Sequence, residues 1–96
     1  LAYPLRKPDY LRVELLDTFW DSFLLLDLCQ GTFAALMELL FVVSTRPETV
    51  PPLEGKRVRL LLTTPESGLP PLRLFFFIEN GAVQVIQVDQ YGDFEP

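Results

Sequence analysis

The amino-acid sequence predicts an α+β domain: an N-terminal strand, a helical hairpin and a three-stranded antiparallel meander, forming a four-stranded sheet packed by two helices on one face. Three observations carry this expectation. Asn80-Gly81 sits between two β-prone segments, LRLFFFIE and AVQVIQVD. Apolar and polar residues alternate over YLRVELL. Between these regions lies a long apolar block that recurs at helical spacing.

Residues 1–9 contain Pro4 and Pro8 and read as an irregular lead-in. Over residues 10–16, Leu11, Val13 and Leu15 fall on one side and Tyr10, Arg12, Glu14 and Leu16 on the other, as in a half-buried strand. Asp17-Thr18 can cap a first helix over residues 19–29, with Asp17 and Asp21 as the early acidic charges that the helix dipole favours. Gln30-Gly31-Thr32 reads as a break, with Gly31 as C-cap and Thr32 as the next N-cap. A second helix is expected over residues 33–44, stopped by Arg46-Pro47 because a residue before proline avoids helical ψ.

That second helix is apolar nearly all round, which points to deep burial or contact with a second chain. Residues 23–43 approach the length of a bilayer span, but Asp27 and Glu38 would each cost roughly 2.5–3.5 kcal/mol on insertion, so no membrane role is expected. After a proline-rich connector over residues 48–55, KRVRLLLT (residues 56–63) alternates as the second strand, and residues 64–71 hold turn chemistry of several kinds. Asn80-Gly81 accepts positive φ at both positions, so residues 72–89 read as a type I′ hairpin. Its phenylalanine-rich first strand has both faces apolar and is expected to lie inside an antiparallel four-stranded layer. Residues 92–96 read as a tail, and the 96 residues as one domain with one core.

Composition narrows the function. There are 8 basic and 13 acidic residues, a net charge of −5 that argues against DNA or RNA backbone as a default ligand. The chain has no histidine, which excludes imidazole zinc sites and Ser/His or Cys/His pairs within one chain. Cys29 is alone and reads as a buried thiol acting as a small hydrophobe. No glycine-rich phosphate loop is present and no cofactor is expected. The start of the chain lacks the apolar stretch of a secretory signal, so the cytoplasm is the expected location. The apolar fraction of 49% and mean hydropathy of +0.24 are high for so small a domain, so either the two apolar blocks, residues 19–43 and 59–88, cover one another completely or some apolar surface is left for a partner.

The Arg46-Pro47 helix stop, the Pro-Leu-Glu-Gly approach at residues 52–55, the strand KRVRLLL and above all PLRLFFFIENGAVQVIQV (residues 71–88) resemble the RelE/ParE superfamily of type II toxin–antitoxin systems. The resemblance covers residues 10–91. It implies a small toxin that cuts messenger RNA on the ribosome or poisons gyrase, silenced by an antitoxin lying across its surface. Carried over by position, it implies Arg73 and Arg59 as the cations that stabilise phosphate charge and Tyr91 as the remaining catalytic group. Cleavage needs a base, a cation and an acid, and a tyrosine with its ordinary pKa of about 10 serves poorly as either of the proton-transfer groups.

The chain lacks the family's basic character and ends its last strand in Asp89-Gln90-Tyr91. The expected function is therefore binding of a protein partner, either an antitoxin segment or a second copy, with nuclease activity weak or lost; the alternative is an active ribosome-dependent endoribonuclease. Structural roles are expected beside the chemical ones. Arg73 would pair with Glu79 or Asp89, Arg57 and Arg59 would form a solvated strand face, and Phe75 and Phe77 would be core beneath the helices rather than base-stacking surfaces.

Overall fold

The computed structural model describes residues 11–26, 29–63, 68 and 70–90. In order these form β1 (Arg12–Leu15), α1 (Asp17–Phe23), α2 (Gln30–Thr45), a 3-10 turn (Pro47–Thr49), β2 (Arg59–Leu62), β3 (Leu72–Glu79) and β4 (Ala82–Gln90). The fold is α+β with a four-stranded sheet in the order β1-β4-β3-β2. The lead-in, Tyr10, most of the loop after Thr63 and the chain from Tyr91 onward lie outside the described residues.

The hairpin forms as its turn chemistry requires: Asn80 has φ 53° and Gly81 φ 75°, both positive as in a type I′ turn. β3 lies between β2 and β4, the interior position that its apolar composition demands. β4 carries a bulge. Phe75 pairs with Gln87 and Phe76 with Val85, so Ile86 is the extra residue. The bulge resolves a break in the sequence pattern, because Val83 and Val85 are two apart but the next buried valine is Val88. One extra residue returns Val88 to the helix side and turns Gln87 outward.

The sheet is mixed, which corrects the antiparallel expectation: β2-β3-β4 is antiparallel, whereas β1 pairs parallel with β4. The reason lies in the helices. Instead of a hairpin of two similar helices, α1 has 7 residues and α2 has 16. Leu11 N–H donates to Ser44 O at 2.8 Å, and Leu15 lies near Phe33, so α2 runs back along β1 from its end to its beginning. One long return leaves β2 pointing the same way as β1. Two antiparallel steps then make β4 parallel to both.

The helix boundaries also differ from expectation. α1 begins at Asp17 after an extended Leu16 and has no side-chain cap; the Thr18 hydroxyl instead donates to Ile86 O at 2.6 Å. The helical break falls before Gln30, and Gly31 and Thr32 belong to the first turn of α2, with Cys29 extended at its N-cap. Thr32 is buried and its Oγ1 lies 3.2 Å from Cys29 Sγ. Cys29 itself is exposed, contrary to the buried thiol expected. α2 ends at Thr45, directly before Arg46-Pro47. β2 is shorter than its alternating pattern, because Leu53 N–H donates to Val58 O and Lys56 N–H to Leu53 O, drawing residues 53–58 into a turn.

One core lies between the helices and one face of the sheet. Phe19 of α1 and Ala35, Leu36, Leu39 and Val43 of α2 pack on Leu72, Leu74 and Phe76 of β3 and Val83, Val85 and Val88 of β4. Phe75 and Phe77 alternate with Phe76 and therefore point to the opposite face, where both are half-buried. This corrects the expectation that they lie beneath the helices. Among the described residues no helix is long and apolar enough to cross a membrane.

The two faces of β3 predict unequal sensitivity. Phe76→Ala should destabilise the fold by about 3–5 kcal/mol, and Phe75→Ala by at most about half as much, in urea unfolding followed by circular dichroism. Equal losses would contradict the packing described.

Candidate partner-binding surface and the placement of the arginines

α2 buries one stripe and exposes another. Thr32, Ala35, Leu36, Leu39 and Val43 face the core, whereas Phe33, Met37 and Phe41, spaced by four, share a flank that faces away from it. Met37 and Phe41 are each 54% exposed. Trp20 of α1 extends this flank: it stands edge-on to Phe23 at 5.7 Å, and Phe23 stands edge-on to Phe33 at 6.2 Å. Because β1 is short and lies below α2, a groove of about 480 Å³ opens between them, lined by Val13, Leu15, Met37, Leu40, Phe41 and Ser44. A pocket of about 140 Å³ continues it between α1 and α2, with Trp20, Phe23 and Phe33 in its wall. Apolar side chains thus form a connected surface along one edge of the molecule.

Periodicity in the sequence did not single out this stripe, because α2 is apolar on nearly every side and its core positions cannot be told from its exposed ones. The i, i+4, i+8 spacing of Phe33, Met37 and Phe41 was visible. What covers which side was not.

The arginines are arranged differently from the cleavage expectation. Arg59 pairs in register with Phe76 and so lies on the helix side, where its Nη1 donates to Val50 O at 2.7 Å. Arg73 lies on the opposite face of the neighbouring strand. Its Nε donates to Asp89 Oδ1 at 2.9 Å and its Nη2 to Asp89 Oδ2 at 3.2 Å, a bidentate pair across the hairpin. Of the two carboxylates expected for Arg73, Asp89 is therefore its partner. The structure does not bring Arg59 and Arg73 together, and Tyr91 lies outside the described residues.

The far face repeats one device twice. The Arg73 guanidinium lies 5.7 Å from the centre of the Phe75 ring and beside Asp89. The Arg57 guanidinium lies 5.2 Å from the centre of the Phe77 ring and 3.8 Å from Glu79. Each ring carries an arginine from its own chain, and each arginine has a carboxylate close by. Arg57 and Arg73 thus serve as covers for otherwise exposed rings.

The Arg73–Asp89 side chains are 39% and 31% exposed, so solvent screening limits the pair to a coupling of roughly 0.5–1 kcal/mol. A double-mutant cycle of Arg73→Ala and Asp89→Ala in urea unfolding should return that value, falling at high salt. A coupling indistinguishable from zero would mean that the bidentate geometry does not persist in solution.

Compared with protein-family models, with curated proteins and with solved structures, the chain gives no match.

Proposed function

We propose that this chain is a small partner-binding domain of RelE/ParE-like character, acting in the cytoplasm through the apolar surface of α1, α2 and β1, with nuclease activity weak or lost. The observation that carries the reading is the exposed stripe of Phe33, Met37 and Phe41 beside the groove over Val13 and Leu15. Full burial of a methionine or phenylalanine side chain is worth about 1.5–3 kcal/mol, so two such residues left half in water are a substantial driving force for association. Connected apolar surface of this kind on a small domain marks an interaction site. An antitoxin segment or a second copy would fill it as a helix or strand laid in an apolar groove. The toxin-like part of the reading is supported by the order strand, helix, helix, three strands and by the interior hairpin, both of which the family resemblance implies.

The alternative, an active ribosome-dependent endoribonuclease, asks for cations gathered around one phosphate. Arg59 and Arg73 on opposite faces, each already donating to oxygen within the chain, weigh against it.

Two experiments test the proposal. A photoreactive amino acid placed at Met37 should yield a discrete cross-linked adduct in cells, and the same probe at Arg57 on the far face should not; absence of any discrete adduct from position 37 overturns the binding reading. Expression in growing bacterial cells should leave growth unchanged. Arrest that vanishes in Arg73→Ala would favour the ribonuclease instead.

A further inference from the structure

We infer that the partner is a second copy of this chain, joined β1 to β1 in antiparallel register about a two-fold axis that runs midway between the Val13 residues of the two copies, perpendicular to the sheet; this rests on the partner-binding reading above.

The two edges of the sheet are finished differently. At the β2 edge, Pro52 bridges Arg59 and Leu53 N–H donates to Val58 O, so the proline-rich connector lies along the start of that strand. At the β1 edge no described residue pairs with the outer side. Leu16 N–H donates to Val85 O. Since backbone groups alternate in direction along a strand, those of Arg12 and Glu14 point toward β4 and those of Val13 and Leu15 point outward. An antiparallel partner strand must set outward residues opposite outward ones, so it can be centred on a self-pair of Arg12, Val13, Glu14 or Leu15.

Charge selects between these registers. Arg12 and Glu14 flank Val13 on the face away from the helices and bridge each other at 2.7 Å, with their side chains 74% and 40% exposed. Two copies centred on Val13 set Arg12 of each opposite Glu14 of the other, forming two cross-strand ion pairs related by symmetry. Centring on Arg12 or Glu14 sets that charge opposite its own copy, and centring on Leu15 sets Glu14 opposite Leu16 and pairs no charges. The strand is thus self-complementary in one register, as an isologous interface requires.

The same axis keeps both pairs of helices on one face of a continuous eight-stranded sheet. It brings the two open grooves together, so that Met37 and Phe41 of each copy meet those of the other beside Val13 and Leu15. Strand edge, charge order and apolar stripe all lie on one side of the molecule and are satisfied by a single operation.

Sedimentation equilibrium of the full chain at about 100 μM should give twice the 11.0 kDa chain mass. Arg12→Glu and Glu14→Arg each set like charges opposite one another, and either should weaken the dimer by roughly tenfold or more, which is about 1.4 kcal/mol. The double variant Arg12→Glu/Glu14→Arg restores opposite charges and should recover wild-type dimerisation. Arg12 is exposed and Glu14 half-buried, both on the face away from the core, so circular dichroism should show all three variants folded. A wild-type monomer at that concentration overturns the inference, as does a dimer indifferent to the single substitutions or a double variant that stays monomeric. A discrete adduct at position 37 whose added mass is not that of a second chain would leave the binding surface standing while self-pairing fails. A monomer with no adduct would overturn both.

Discussion

The fold depends on satisfying both edges of β4. This strand is the axis of the sheet: β3 pairs with one side along its whole length, but β1 reaches only from Ala82 to Val85 on the other. Beyond Val85 the outer backbone groups of β4 would face a gap. α1 fills it with two hydroxyls. Thr18 Oγ1 donates to Ile86 O, and Ser22 Oγ accepts from Val88 N–H at 3.0 Å while donating to Phe19 O at 2.8 Å. These two side chains bond the backbone groups that a longer β1 would have paired, the Ile86 carbonyl at the surface and the part-buried Val88 N–H, and so replace the missing part of a strand. They also explain why Thr18 does not cap its own helix.

Fixing α1 there has consequences for the rest of the chain. The helix is held across β4 by Thr18 and Ser22 and ends after Phe23, its job complete within two turns. The return along the sheet is left to α2 alone. A single long return sets the direction of β2, makes β1 parallel to β4 and leaves β1 on the rim with α2 running over it. The apolar groove is the gap between a short rim strand and a long helix above it.

Much of this was legible beforehand. The tight hairpin, its Asn80-Gly81 turn, the half-buried pattern of β1 and the end of α2 at Arg46-Pro47 all follow from residues close in sequence. The interior place of β3 followed from its composition. Of the two carboxylates expected for Arg73, Asp89 lies opposite it across the hairpin, whereas Glu79 lies at the far end of its own strand. Beside the sheet direction and the helix boundaries, three expectations differ from the structure because the deciding neighbour is distant in sequence. Cys29 sits among leucines in sequence but at an exposed helix start in space. Gly31 looked like a terminator, yet it begins a helix where a β-carbon would meet Pro70 at 3.4 Å. Phe75 and Phe77 were expected beneath the helices because alternation separates two faces without saying which is roofed.

The sequence by itself determined the local elements, their order and the need of the phenylalanine strand for cover on both sides, since backbone preference and two-residue alternation depend on near neighbours. Tertiary structure alone decided the parallel place of β1, the bulge that returns Val88 to the core, the separation of Arg59 from Arg73 and the identity of the exposed stripe on α2. Each of these turns on which surfaces meet across dozens of residues. Where a segment is apolar on every side, only the positions of its neighbours divide what is core from what is left to bind.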